Sequence, residues 1–222
     1  MTNRILRALF IVCGCIVGAL AHPSEALTQS HEELERQADQ LYLRSRQLRL
    51  EGNAREAQRL AERLIEIEKI TRGQNTASYA AAIEELGLVF DAVGNHARAE
   101  QLHTEALEVR ERVLGREHEH VGYSYHNLAA VYKTWRQYAK SDEMRKRALA
   151  ILQKAQGPNA PEVGTTLNSL GGSYNDQGRY ADAEPILRRS IAILENAPEK
   201  WDRNYASALV NMASVFKAQG KF

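Results

Sequence analysis

Apolar residues recur along the chain at helical spacing, in blocks that themselves repeat. Ala82, Ile83, Leu86, Val89, Phe90 and Val93 form one stripe with the three- and four-residue steps of an α-helix. Gly94 follows, a residue suited to the left-handed conformation that ends a helix. A second stripe, Ala99, Leu102, Ala106, Val109 and Val113, runs up to Gly115. The pattern predicts two helices joined by a tight turn.

The pair recurs every 42 residues. Gly52-Asn53, Gly94-Asn95, Arg136-Gln137, Gly178-Arg179 and Gly220-Lys221 stand at that spacing without insertion. In the same register lie Leu86-Gly87, Leu128-Ala129, Leu170-Gly171 and Met212-Ala213. So do Phe90, Tyr132, Tyr174 and Phe216, then Ala99, Ser141 and Ala183, then Ala106, Ala148 and Ser190. Such self-similarity marks a repeat array rather than one globular core. The period divides the chain into units 37–78, 79–120, 121–162, 163–204 and a half unit 205–222, after a lead-in at 22–36.

The small mid-helix residues Gly87, Ala129, Gly171 and Ala213 call for a packing reason, because Gly inside a helix costs about 1 kcal/mol against Ala. The expected return is close approach of the second helix of the pair, with Ala99, Ser141 and Ala183 facing them. Ser45 takes the small site in the first unit. The aromatic residues would fill the space one turn later. Unit 121–162 carries Trp135-Arg136 where its neighbours carry a helix-ending Gly, so an irregular turn is expected there. The pairs Glu108–Arg112, Asp142–Lys146 and Glu143–Arg147 have the i,i+4 spacing of a solvated helix face.

The order Leu-Gly/Ala, aromatic, Gly, Ala, Ala resembles the tetratricopeptide repeat. The 42-residue unit is similar to the longer variant of kinesin light chains and of many bacterial multi-repeat proteins. The resemblance is carried by Thr166-Leu167-Asn168-Ser169-Leu170, Gln177-Gly178-Arg179-Tyr180, Ala183-Glu184-Pro185 and Ile191-Ala192-Ile193, and by the linker Leu114-Gly115-Arg116-Glu117-His118. The family expects Pro after that His, where this chain has Glu119; the next linker supplies Pro161. The resemblance spans residues 37–222. It implies an all-α, right-handed α-solenoid of antiparallel helix pairs, whose first helices line a concave groove that binds a protein or peptide without catalysis.

The first residues break the pattern. Arg4 and Arg7 precede a run from Ala8 to Ala21 with no charge, which ends in the small-x-small step Ala19-Leu20-Ala21 before His22-Pro23. This is the three-part layout of a secretory signal peptide over 1–21. The run is shorter than the roughly 18–20 residues that span a bilayer; an uncleaved anchor, with membrane contact, is the alternative, and a lipoprotein site at Cys15 a third. Both cysteines, Cys13 and Cys15, lie in the segment. The expected mature chain is exported to a periplasm or secreted, and has no thiol chemistry. Charge then changes little: 29 Lys+Arg against 28 Asp+Glu in the whole chain gives +1, and loss of Arg4 and Arg7 makes it −1. Neither value suggests a nucleic-acid partner.

A search for chemistry finds no Gly-x-Ser-x-Gly turn, no Gly-x-x-x-x-Gly-Lys loop and no His-Glu-x-x-His. His118 and His120, with His126, are the nearest approach to a metal cluster, at no recognised spacing; a metal-dependent enzyme is the rival reading. No cofactor is expected. Groove positions in the register are Glu84, Leu88 and Asp91, then His126, Ala130 and Lys133, then Asn168, Gly172 and Asn175, then Ser214 and Lys217. His126, Lys133, Asn168 and Asn175 are the leading peptide-binding candidates, since amides can bond an extended backbone. One subset of the family grips a C-terminal carboxylate through a groove Asn. That position here holds Arg46, Leu88, Ala130, Gly172 and Ser214, which argues against that mode.

The half unit leaves Leu209, Met212, Val215 and Phe216 without a second helix, and Phe222 follows. Two alternatives attach to this face: the chain is the N-terminal repeat region of a larger effector protein, or the last helix drives self-association into a structural assembly.

Overall fold

The computed structural model describes residues 23–198 and 202–221. The expected leader with Cys13 and Cys15, and Phe222, lie outside the described residues. Among the described residues there are nine helices: α1 (Pro23–Leu50), α2 (Ala54–Thr71), α3 (Ala77–Ala92), α4 (His96–Leu114), α5 (Glu119–Thr134), α6 (Tyr138–Gln156), α7 (Pro161–Asp176), α8 (Tyr180–Leu194) and α9 (Asp202–Gln219). From α1 to α7, each odd-numbered helix packs on the one that follows, and each pair packs on the next. The result is an all-α repeat solenoid. Helix α1 runs unbroken from Pro23 through residues 36 and 37, where the period sets the start of the first unit.

The helix-to-helix turns repeat in geometry. Gly52, Gly94, Gly178 and Gly220 have φ between 68° and 80°. At each, two backbone bonds close the helix end: Gly94 N to Asp91 O and Asn95 N to Phe90 O, both 2.9 Å, with the same pattern at the others. The expected irregularity at Trp135-Arg136 does not occur. Arg136 N reaches Lys133 O at 3.0 Å and Gln137 N reaches Tyr132 O at 2.8 Å, as at the Gly turns. Arg136 itself adopts φ 59°, the one positive-φ non-Gly residue among those described. Two backbone bonds and the packing of both helices hold it there, at a steric cost of about 1 kcal/mol.

Within pairs, the small residues permit close approach. A Cβ built on Gly171 would lie 2.6 Å from Leu187 Cγ, and one on Gly87 would lie 3.0 Å from the His103 ring. Gly122 and Gly164 stand similarly close to Leu152 and Leu194 at the other end of their pairs. The residue that meets the small site therefore lies one turn beyond Ala99 and Ala183, at His103 and Leu187. Ser141 does touch its site, but through its hydroxyl, which donates to Ala129 O at 2.7 Å.

Burial follows the repeat register. Leu86, Gly87, Ala99, Ala106, Leu128, Ala129, Tyr132, Ala148, Leu170, Gly171, Tyr174, Ala183 and Met212 are buried. Phe90 and Phe216 are partly buried against the same clusters. Gly178 is exposed and acts through its φ of 73°. Ala213 departs from expectation and is exposed, because no described second helix faces it. Val93 and Val113 also leave their predicted stripes: they sit at helix ends, 57% and 41% exposed. On α9, Met212 and Val215 are covered by Leu170, Tyr174 and Leu187 of the preceding pair. Leu209 is exposed as expected, and Val210 beside it is the other large apolar side chain exposed on α9. Of the three expected i,i+4 ion pairs, Glu143–Arg147 forms, at 2.7 Å.

Arg136→Gly relieves left-handed strain at an exposed residue, so it is expected to stabilise the chain by up to about 0.5 kcal/mol after the greater freedom of unfolded Gly is counted. Urea denaturation measures this, and a loss of stability would contradict the strain assigned to Arg136.

Candidate functional site

The face formed by the first helices carries two rows of polar positions one repeat apart: Glu84, His126 and Asn168, and Asp91, Lys133 and Asn175. The first row begins acidic. Glu84 on α3 accepts from Arg110 Nη1 at 2.7 Å and Nη2 at 2.9 Å, and Arg110 also donates to Ser124. Burial alone would raise the Glu84 pKa, but the bonds and charge of Arg110 outweigh it and hold the carboxyl below its usual range. Asp91 lies 2.8 Å from His96 Nδ1 and accepts from Thr134 on α5 at 3.0 Å.

The four leading candidates stand on adjacent first helices, His126 and Lys133 on α5, Asn168 and Asn175 on α7. Each reaches toward the next first helix or its end. His126 Nδ1 lies 3.5 Å from Thr166 Oγ1. Lys133 Nζ lies 2.8 Å from the Asp176 carboxylate. The Asn168 amide donates to Ser207 at 3.1 Å and its oxygen accepts from Asn211 at 2.8 Å. Asn175 donates to Ser214 at 3.1 Å. A ladder of polar contacts thus ties neighbouring first helices together. Asn168 is buried, with one donor and its acceptor used internally. The Asn175 oxygen has no hydrogen-bond donor among the described residues. The Lys133–Asp176 pair is half exposed and worth under about 1 kcal/mol, so its members remain exchangeable. Of the remaining expected groove positions, Leu88 and Ala130 are partly buried, Ser214 and Lys217 are exposed, and Gly172 is buried, with Asn211 3.2 Å from where its Cβ would sit.

Behind this face stands a column that the sequence pattern did not single out. Ala61, His103, Arg145 and Leu187 occupy one repeat position on the second helices. His103 is fully buried with both ring nitrogens unpartnered among the described residues. Burial lowers its pKa against the pull of Glu84 and Asp91. Arg145 is 3% exposed, and its Nε has no partner among the described residues. Loss of water, with the nearby Arg145 charge, pushes the His126 pKa down to about 4. The 42-residue register was the available signal, since one column holding Ala, His, Arg and Leu does not fit a solvated face.

The rival metal reading gains no geometry. His118 caps α5, its Nδ1 accepting from His120 N at 3.2 Å, and the two rings stack 5.2 Å apart. Among the described residues no three His, Cys, Asp or Glu side chains gather at metal-binding distance. Among them, too, no helix is long and apolar enough to cross a membrane.

A tetratricopeptide-repeat family model matches residues 78–154, 136–196 and 162–222. The crystal structure of BtubC (BKLC) from P. vanneervenii is 22% identical at a TM-score of 0.75, covering 89% of this sequence and 83% of that one. A putative kinesin light chain from Podosopora anserina with nearly identical TPR-like repeats is 22% identical at 0.68, over 86% and 89%. A Rap protein complexed with Competence and Sporulation Factor is 16% identical at 0.68, over 83% of this sequence and 52% of that one. No curated protein matches the sequence.

The two shielded imidazoles set a pH dependence. Unfolded His126 titrates near 6.5 and folded His126 near 4, so its contribution to stability is present above pH 6.5 and lost as pH falls toward 4. His103 acts in the same direction. Between pH 7 and 4.5 a loss on the order of 2 kcal/mol is expected in urea unfolding, reduced by His126→Gln. An unchanged midpoint across that range would contradict the burial of these rings as neutral groups.

Proposed function

The chain belongs to the tetratricopeptide-repeat family, and from that premise we propose that it is an exported, non-catalytic scaffold that holds an extended segment of a partner protein along its first-helix groove. The carrying observation is the polar row on α5 and α7. Asn175 offers an unused amide oxygen and Lys133 an exchangeable ion pair on one face, beside the partly buried His126. An amide oxygen accepts a backbone N–H of an extended peptide, and the scaffold that presents it is already fixed by the ladder, so little ordering cost falls on the protein side. A Rap protein complexed with Competence and Sporulation Factor shares this kind of fold, which supports a binding role. Export rests on Arg4, Arg7, the uncharged run Ala8 to Ala21 and the step Ala19-Leu20-Ala21.

One preparation tests both parts. Full-length coding sequence is expressed with export intact, the purified product is sequenced from its N-terminus, and it is used to select binders from a displayed peptide library. The product is expected to begin at His22. Asn175→Arg is expected to weaken selected peptides about tenfold, the worth of one lost hydrogen bond plus a clash. A retained Met1 contradicts export with cleavage, and equal binding by the variant contradicts the groove.

A further inference from the structure

The fold pairs one buried guanidinium fully and leaves another unpaired. Arg110, 7% exposed, makes two bonds to Glu84 and one to Ser124. Arg145, 3% exposed, donates from Nη1 to Ser141 Oγ alone. Its Nε has no partner, and among the described residues no carboxylate forms an ion pair with it. Two carboxylates are near enough to attract it, Asp142 and Asp176. Neither bonds it. Asp142 accepts from Ser173 at 2.8 Å, Gln177 at 3.0 Å and Arg179 at 3.4 Å. Asp176 holds Lys133 at 2.8 Å.

The surroundings sharpen the contrast. In the preceding repeat the same column position holds His103, and the groove positions before it are the acids Glu84 and Asp91. In the Arg145 repeat those groove positions are His126 and Lys133. The neighbour on the other side fills the column with apolar Leu187. A repeat that places a cation behind a neutral histidine and a lysine has no internal reason to keep it, since an unpaired buried charge destabilises a fold that Met or Leu would suit. Arg carries five N–H groups in a planar fork that matches a carboxylate, and among the described residues only Nη1 of Arg145 has an acceptor.

We propose that Arg145, with Lys133 and His126 beside it, forms a binding site for a carboxylate of the partner peptide, taken up from the groove between α5 and α7. The inference rests on the peptide-binding reading and names the chemistry of its partner. The carboxylate comes either from an Asp or Glu side chain or from the free C-terminus of the peptide, and in both cases it completes the hydrogen bonds of the fork. The site differs from a grip built on first-helix side chains alone, because its principal donor stands on the second helix, α6.

The test uses the full-length protein labelled with ¹⁵N and follows the Arg145 Nε–H resonance, assigned by its absence in Arg145→Met. Three probes are titrated: acetyl-Gly-Gly-Glu-Gly-Gly-amide, its Gln counterpart, and acetyl-pentaglycine with a free C-terminus. Saturable shifts at least about tenfold tighter for one or both carboxylate probes than for the Gln peptide are expected, and which probe gives them identifies the source. Arg145→Met, which replaces the cation with a flexible apolar side chain, is expected to melt no lower than the parent while binding about tenfold more weakly. Equal binding of the Glu and Gln peptides, or undiminished binding by Arg145→Met, overturns the carboxylate site and leaves the groove reading standing. If no peptide binds but potassium acetate shifts the Arg145 resonance where potassium chloride does not, the carboxylate site stands and the peptide reading fails. If acetate shifts nothing either, the proposal is overturned.

Discussion

The structure depends on how closely the two helices of a pair approach at their small residue. Gly171 sits so near Leu187 that a Cβ would fall 2.6 Å from Cγ, and one on Gly87 would fall 3.0 Å from the His103 ring. So close an approach leaves little room for slip along the helix axis. It therefore sets the rotation of both helices, and with it the faces they present. The stripe that includes Leu86 and Ala106 goes inside, the turn at residues 52, 94, 136, 178 and 220 falls at one place, and the next pair docks on the surface left over. Since each pair packs chiefly on its neighbours, the same close approach, repeated from pair to pair, builds the array.

The same constraint decides what stands on the functional face. With the first helices held in register, positions one repeat apart form rows, and their polar side chains reach the next helix: Asn168 to Ser207 and Asn211, Asn175 to Ser214, Lys133 to Asp176. Much of the polarity that looks like binding capacity thus serves as lateral glue. What remains uncommitted is a smaller set, the Asn175 oxygen, the exchangeable Lys133 and the guanidinium of Arg145. They fall in adjacent repeats. On the proposed reading the scaffold contributes a fixed geometry and a few polar groups without internal partners, and specificity arises from the penalty of leaving the buried one unpaired.

The fold was legible because its determinants are local and periodic. A 42-residue spacing, a glycine at most of the turns and an aromatic residue one turn after each small residue all survive in one sequence, with no alignment needed. Where a single residue departed, as at Arg136, the pattern suggested a broken turn. The packing of both flanking helices instead imposed the left-handed conformation on an arginine. The site was less legible for a related reason. Groove positions follow from register, but whether an Asn there is free depends on partners 39 or 43 residues away. Asp142 illustrates this: its i,i+4 spacing to Lys146 reads as an exposed pair, yet it is buried and taken by Ser173, Gln177 and Arg179. Arg145 gives no signal by itself, because charge on a second helix usually lies outward, and only the column shared with Ala61, His103 and Leu187 shows otherwise.

The most direct measurement is a double-mutant cycle at the small site, Gly171→Ala and Leu187→Ala, read by urea unfolding. Gly171→Ala alone should destabilise by about 1–3 kcal/mol through overpacking, despite the better helix propensity of Ala. Leu187→Ala alone should cost about 2–5 kcal/mol through the cavity it opens. If the approach of these helices sets the register, the added Cβ fits once the Leu side chain is gone, and the double variant is more stable than the sum by at least about 1 kcal/mol. Additivity within about 0.5 kcal/mol would contradict the close approach on which the array, the rows and the site all rest.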